Sequence, residues 1–370
     1  MRVLVTGGMG LVGRSVVGEL LNEGHSVRLF DTADRGRARR LIATVEGAMR
    51  SVVRNALGNR NALEFRHGDL CNIADVGEAV RDVDAVIHLG AMIPPAADQN
   101  PRYASYVNTG GTENLIRALA QHAPGARFIY TSSIAVYGDR RGTREIRSSD
   151  SPNPGADDHY AHQKLAAEKA VRASTLDWVI LRLTYIVSPE KLKTDPLMFH
   201  MPLDTCIEVC GAGDTARSLV HAVSTPEAAR RIFDIAGGPR CRTTFRDYLT
   251  RMLTLFGIDA PLPDIAFSTG PFHCGYVDTR ESQAVLDYQR ETLEDYYARV
   301  SRKVAFRRLL LRAMPVVRRL VHRALVRSSP FAPRGVAPRG ARGLRMGGGA
   351  RLGLFIRRMV QIIFGFPLRQ

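Results

Sequence analysis

Apolar positions in the first half of the chain fall in short runs separated by helical stripes. Arg2-Val-Leu-Val-Thr6 is a run of the kind that forms a strand buried on both faces. Gly7, Gly10 and Gly13 follow, and then Val16, Val17, Leu20 and Leu21 recur at helical spacing up to Gly24. Ser26–Phe30 is a second apolar run. Strand and helix alternate in this way to about Ile186, which predicts an α/β fold built on a doubly wound parallel sheet. From Val187 to Val300 the pattern is mixed. Helices are expected near Pro226–Ile232 and Thr244–Phe256, a strand at Ile232–Ala236 before the Gly237-Gly238-Pro239 break, and a closing helix from Thr292. Beyond Ser301 another pattern begins. Phe306, Leu309, Leu310, Ala313, Val317, Leu320, Val321 and Ala324 recur at helical spacing, Arg308, Arg312, Arg319 and Arg323 take another face, and Pro315 should bend or divide the helix. The expected organisation is a first domain over 1–186, a smaller C-terminal substrate lobe over 187–300 and a basic amphipathic arm over 301–370.

The stretch Gly7-Gly8-Met9-Gly10-Leu11-Val12-Gly13 carries the first chemistry. Glycines after a strand permit a tight turn and let backbone approach a pyrophosphate, whose charge the following helix N-terminus favours. Asp31 closes the second strand eighteen residues after Gly13, where an acid takes the ribose hydroxyls of NAD. That acid would repel the 2′-phosphate of NADP, whereas Arg35, Arg37, Arg39 and Arg40 could attract one. Reading those arginines as a solvated helix face favours NAD.

Tyr160-Ala-His-Gln-Lys164 carries the second. A Tyr and a Lys four apart share one helix face. An ammonium near a phenol favours the phenolate and so lowers its pKa. Tyr160 could then exchange a proton with an alcohol while hydride moves to a nicotinamide, with Ser133 holding the same oxygen. Tyr and Lys at this spacing are common on solvated helices, so the order of elements around them carries the weight.

That order resembles the extended short-chain dehydrogenase/reductase family, its NAD-dependent epimerase/dehydratase group, from Met1 to roughly Val300. Gly68-Asp69-Leu70 resembles the family's adenine-contacting segment, which implicates Asp69 and Leu70. Val86-Ile-His-Leu-Gly-Ala91 is similar to its fourth strand and phosphate-side turn, with Leu89, Gly90 and Ala91. Asn108-Thr-Gly-Gly-Thr-Glu-Asn114 resembles its Asn-bearing helix, and Phe128–Gly138 its serine-bearing strand, with Ser133 at the catalytic position. The resemblance implies a Rossmann-type fold, Ser133, Tyr160 and Lys164 as the catalytic set, and Gly7, Gly10, Leu11, Val12, Gly13, Asp31, Asp69, Leu70, Leu89, Gly90, Ala91, Asn108, Tyr160 and Lys164 about the cofactor. Dehydratases of the group carry an acid pair after the threonine of Thr131-Ser132-Ser133. Its absence here turns the expectation from dehydration to epimerisation or simple oxidoreduction. Tyr185 stands near a substrate-contacting position, and Arg217 resembles an Arg that clamps a nucleotide-sugar diphosphate, although Ser218 and Ser224 replace acids usual there. The implied substrate is a nucleotide- or lipid-linked sugar. An apolar alcohol such as a sterol, or a non-catalytic NAD-binding scaffold, are the alternatives.

Charge separates the arm from the rest. Residues 301–370 hold 17 of the 52 basic residues and none of the 36 acidic ones, leaving 35 against 36 in the first 300. The formal +16 therefore belongs to the arm. Ser328–Ala350 reads as a Gly/Pro/Arg-rich linker, and the uncharged run Met359–Leu368 is too short to span a bilayer, which needs about 20 residues. In-plane binding to an anionic membrane surface is the leading reading. Packing on the body or on a partner subunit, as in a homodimer, is the second. Nucleic acid fits less well, since the interleaved residues are mostly aliphatic. Cys71, Cys206, Cys210, Cys241 and Cys274 lack metal-site spacing, although Cys206 and Cys210 would face one another on a helix. Free thiols, no metal and a cytoplasmic location, peripheral at the membrane, are expected, with Met1 leading straight into the first strand.

Overall fold

The computed structural model describes residues 1–33, 36, 40, 62–142, 145–192 and 196–332. Arg35, Arg37 and Arg39, and the apolar stretch 352–368, lie outside the described residues.

The described strands in chain order are β1 (Arg2–Thr6), β2 (Ser26–Asp31), β3 (Leu63–His67), β4 (Ala85–His88), β5 (Arg127–Ser133), β6 (Asp177–Leu183), β7 (Tyr185–Val187), β8 (Cys206–Gly211), β9 (Arg231–Ile235) and β10 (Arg242–Thr244). Seven of them make one sheet in the order β3-β2-β1-β4-β5-β6-β9, every described pair parallel. The order reverses between β1 and β4. In doubly wound sheets the crevice at the carboxyl ends of the strands flanking such a reversal is where ligands bind.

Side-chain alternation along the strands sorts the core into two layers. The helices that cover them are α1 (Leu11–Asn22), α2 (Ile73–Ala79), α3 (Gly111–His122), α4 (His159–Ala173) and α5 (Ala212–Ser224). Val3, Val5, Ile87, Ile129 and Val179 face α1 and α5, where Val16, Val17, Leu20, Leu219 and Val220 meet them. Leu4, Val86, Phe128, Tyr130 and Ile180 face α2, α3 and α4, through Val76, Leu115, Leu119, Ala167 and Val171. Each such aliphatic side chain stabilises the fold by about 1.5–3 kcal/mol. This is why the strands read as continuous apolar runs: both faces are covered.

The domain division is not the sequential one the sequence suggested. One compact unit comprises 1–187, 208–242 and 273–291, and the other 188–207, 243–272 and 292 onward. The chain returns to the first unit because β9 completes its sheet on β6, with Arg182 opposite Asp234. The stretch expected to be helical at Pro226–Ile232 is only a 3-10 turn, Pro226–Ala228, ahead of that strand. Cys206 and Cys210 lie on β8, not on a helix, and all five cysteines are free thiols.

In the second unit α6 (Phe245–Leu255) is capped by Thr244, and α7 (Leu293–Lys303) by a Thr292/Asp295 capping box. The arm then runs as α8 (Ala305–Ala313) and α9 (Pro315–Ser328), divided where the proline sits at the first position of α9. Its apolar stripe is shared out. Leu311, Val317, Val321 and Leu325 are buried, whereas Phe306, Leu309 and Val316 are exposed. His322 Nε2 lies 3.0 Å from the Pro261 carbonyl, Arg318 pairs with Asp259 at 3.3 Å, and Ser329 donates to the Ala266 carbonyl at 2.5 Å. Thus 305–332 pack on their own unit, the second of the readings given to the arm. Among the described residues no helix is long and apolar enough to cross a membrane.

Candidate active site

The glycine turn begins in a left-handed conformation, Gly7 at φ +66°, where a Cβ would lie 2.8 Å from Gly90 Cα. A Cβ on Gly13 would lie 2.6 Å from the Gly7 carbonyl oxygen, so α1 packs directly on the turn. Gly10 is the N-cap of α1 and has no side-chain cap bond, and the first helical turn holds no acid. The first turn of α1 therefore offers no carboxylate of its own to its free N–H groups, as suits an incoming anion. Asp31, at the end of β2, accepts from the backbone N–H of Met9 at 3.2 Å and of Ala33 at 3.0 Å. These residues fit a dinucleotide at the β1/β4 crevice. Asp69 lies two residues beyond β3, its carboxylate accepting from Cys71 N–H at 2.9 Å. Leu70 is buried, and Leu89 and Ala91 flank Gly90 half-buried.

A buried polar chain locks this crevice together. Thr112 Oγ1 donates to the Asn108 carbonyl at 2.6 Å, so it accepts from His88 Nε2 at 3.0 Å. That leaves His88 Nδ1 to accept from Thr6 Oγ1 at 2.7 Å, while Thr6 itself accepts from Gly90 N–H at 3.1 Å. One neutral tautomer serves the whole chain. Burial, and then the Lys164 charge, pull the His88 pKa down to about 3. None of Thr6, His88 or Thr112 was singled out from sequence. The available signal was a polar side chain at the end of an otherwise apolar strand.

The catalytic candidates come from two elements. Ser133 ends β5 and caps the next 3-10 turn, its Oγ accepting from Ala135 N–H at 3.2 Å. Tyr160 and Lys164 lie on α4, which Asp158 caps through Ala161 N–H at 2.9 Å. Lys164 is buried and donates to the Thr131 carbonyl at 2.8 Å, two residues before Ser133. Asn108 lies in a π-helical turn, a form often found at functional sites. It grips Met92 at both backbone atoms, at 2.7 and 2.9 Å, and donates to Gln163 Oε1 at 2.8 Å. Gln163, missed from sequence, thus ties α4 to the Asn108 turn.

One electrostatic expectation is corrected. Lys164 was expected to lower the Tyr160 pKa. Instead burial, followed by the Asp158 charge, holds the half-buried Tyr160 phenol well above its ordinary value. The Lys164 ammonium is directed to Thr131 and lies 5.8 Å from the centre of the Tyr160 ring. Its own pKa is pulled down to about 8 by burial, against which Glu168 acts.

Arg217 and Tyr185 stand apart from this set. Arg217 is on α5, donating to Asp214 at 2.8 Å and to the Tyr288 carbonyl at 3.0 Å, with Glu19 of α1 at 3.4 Å. Its guanidinium is engaged with acids and a carbonyl and is not presented as an anion clamp. The helical position explains this, because α5 packs on α1. Tyr185 opens β7 opposite Val209, 38% exposed. No cluster of three metal-ligating side chains occurs among the described residues.

A doubly wound sheet with a glycine turn at its switch point and a Ser–Tyr–Lys set defines a dinucleotide-binding protein of the short-chain dehydrogenase type. The chain belongs to the NAD dependent epimerase/dehydratase family, whose pattern it matches over residues 3–234. It is 34% identical over 180 residues to a 3 beta-hydroxysteroid dehydrogenase/Delta 5-->4-isomerase of Mycobacterium tuberculosis, covering 46% of this chain and 42% of the relative. Against a bifunctional UDP-glucose 4-epimerase and UDP-xylose 4-epimerase of Pisum sativum it is 32% identical over 190 residues, 50% of this chain and 51% of the relative. The chain thus spans about half the length of these relatives. Among solved structures, dTDP-glucose 4,6-dehydratase of Streptomyces venezuelae superposes with TM-score 0.68 at 23% identity, over 82% of this chain and 96% of that one. That likeness is one of fold.

Proposed function

We propose that the chain is an NAD-dependent enzyme that oxidises or epimerises a hydroxyl-bearing carbon of a nucleotide- or lipid-linked sugar. The observation that carries the reading is the Tyr160/Lys164 helix bolted to the Ser133 strand through the Lys164–Thr131 bond. NAD bound over the glycine turn would supply the hydride acceptor. Tyr160 then takes the proton of the substrate hydroxyl or returns it to the carbonyl. Lys164 is the buried cation available to hold the phenolate once formed. Ser133 already accepts from Ala135 N–H, so its own hydrogen is the one to aim at the reacting oxygen.

A second reading, oxidation of an apolar alcohol such as a sterol, is favoured by the 34% identity to the mycobacterial steroid enzyme. Turnover of a panel of UDP-sugars and 3β-hydroxysteroids separates the two. Sugar conversion with the nucleotide retained by the protein supports epimerisation. Steroid oxidation with stoichiometric release of NADH moves the assignment to the second reading. Tight NAD binding with no turnover of either class leaves a scaffold.

The cofactor choice has its own test. Asp31 should make NAD bind roughly tenfold or more tightly than NADP, the scale of one close like-charge contact near a protein surface. Calorimetry should find that Asp31→Ala narrows the gap. Equal or tighter NADP binding by the unaltered chain would defeat this expectation.

We also infer that the arm holds the protein at an anionic membrane surface. Exposed Phe306, Leu309 and Val316 among arginines support it, as does the all-basic charge of 301–370. Each basic residue near such a surface contributes about 1 kcal/mol. Since α8 and α9 cover their own unit and must stay, the test removes residues 333–370 and, in a second variant, also replaces exposed Phe306, Leu309 and Val316 by serine. The full chain should co-sediment with phosphatidylserine vesicles more strongly than either variant, and salt should weaken binding only in part. A full chain that ignores vesicles but retards duplex DNA would assign the arm to nucleic acid, and one that dimerises through it would assign it to a second copy.

A further inference from the structure

Beneath the catalytic helix lies a buried set of charges that the proposed mechanism does not use. Glu168, Arg182 and Asp234 are 0%, 3% and 2% exposed. Arg182 of β6 donates to both carboxylate oxygens of Glu168, at 2.9 and 2.7 Å. Its remaining nitrogen donates to Tyr137 Oη at 2.7 Å. Tyr137 in turn donates to Asp234 of β9, equidistant at 2.9 Å from both oxygens. The run Glu168–Arg182–Tyr137–Asp234 therefore passes from α4 to β6, on to the turn that follows Ser133, and ends on β9.

Two of its members, Glu168 and Tyr137, adjoin the candidate reacting groups along the chain. Glu168 is one helical turn from Lys164 and two from Tyr160, on the same face of α4. Tyr137 closes the 3-10 turn that Ser133 caps. Replacing buried ion pairs by packed apolar groups is often neutral or stabilising. Stability alone therefore does not account for burying two carboxylates with one guanidinium here, whereas a need to fix one geometry does.

We propose that Glu168, Arg182, Tyr137 and Asp234 form a buried charge relay that positions the Lys164–Tyr160 pair and transmits to Lys164 the protonation state of Asp234. The inference rests on Tyr160 and Lys164 being the reacting pair, but its test does not require turnover. Asp234 is the responsive end. Burial raises its carboxyl to about 7, opposed by the Tyr137 hydrogen bond and the Arg182 charge and reinforced by Glu168 and Asp150. Arg140, 3.3 Å from Asp150 and 5.3 Å over the Tyr137 ring, is the other charge on that side. At the far end Glu168 favours the charged form of Lys164, and Tyr130, its ring 5.0 Å away, and His88 complete the surroundings.

The chain has only five lysines, so carbon-13 labelling of the lysine ε-carbon isolates Lys164 by comparison with Lys164→Met. In the unaltered protein the Lys164 resonance should titrate near pH 8 and carry a second, smaller inflection near pH 7. Asp234→Asn keeps an acceptor for Tyr137 and removes the proton site, so the second inflection should vanish while the cooperative melt is retained and NAD affinity stays within a factor of about two. Glu168→Gln should lower the Lys164 midpoint, making the lysine at least tenfold more acidic. A Lys164 titration in Asp234→Asn that superimposes on the unaltered one, or no inflection near pH 7 to begin with, would overturn the relay. A shift in Glu168→Gln alone would reduce it to a local ion pair and equally overturn it. Failure of Tyr160→Phe to lose turnover would instead strike the functional reading and leave these titrations standing.

Discussion

Tyr160→Phe should lose at least ~100-fold in turnover, the usual scale for a positioned acid/base, while binding NAD as before and folding normally. The side chain keeps its ring and loses one oxygen. The contacts that hold α4 in place run through Gln163 to Asn108, Lys164 to Thr131 and Glu168 to Arg182, so the helix should not move. The loss should appear in kcat with little change in KM, because the hydroxyl acts on the proton and not on binding. Rates would be measured with whichever substrate class the panel identifies. A variant within tenfold of the unaltered enzyme would remove Tyr160 from the acid/base role.

Gly7→Ala and Gly18→Ala should act in opposite directions. At Gly7 the backbone is left-handed, and a methyl would meet the Gly90 backbone at 2.8 Å and the Leu89 carbonyl carbon at 3.0 Å. Left-handed backbone alone costs an ordinary residue about 1–2 kcal/mol. The obstruction is main chain at the end of β4, which cannot rotate away as a side chain could. We expect a total loss of about 3 kcal/mol or more in unfolding free energy, and NAD binding lost with it, because the Thr6–Gly90 bond would also be displaced. Gly18 lies mid-helix in α1 with nothing within 4 Å of the added methyl. There alanine should stabilise by about 0.5–1 kcal/mol through backbone entropy and leave the cofactor alone. Urea melts of both variants with and without NAD check the pair. A Gly7→Ala chain that binds NAD normally would mean the turn tolerates a shift that these distances forbid.

The strands and helices of the nucleotide-binding unit were legible because a parallel sheet covered on both faces imposes uninterrupted apolar runs, and the crossover helices impose a stripe. The glycine turn was legible for a similar reason: close approach between backbone segments admits no side chain. The division of the arm at Pro315 followed from a missing N–H. In each case the constraint acts on consecutive residues, so it is written into local sequence.

What local sequence could not determine were relations between distant residues. Arg217 looked like an anion clamp by its neighbours in the chain, yet its helix packs on α1 and its guanidinium goes to Asp214, Tyr288 and Glu19. A strand was expected at Ile232–Ala236 and is found at Arg231–Ile235, but only tertiary pairing placed it in the nucleotide-binding sheet beside β6. The arm's apolar stripe specified an amphipathic helix and left open what would cover it. The structure assigns Val317, Val321 and Leu325 to the arm's own unit and leaves Phe306 and Val316 exposed. The charge state of the Tyr160/Lys164 pair belongs to the same class. Sequence by itself determined the fold, the cofactor turn and the candidates for reacting side chains, because these depend on residue type and spacing. Burial of Lys164, its turn toward Thr131 and the Glu168 charge that acts on it depend on which surfaces meet. Desolvation and Coulomb energies act through space and not along the chain, so only the tertiary structure could decide them.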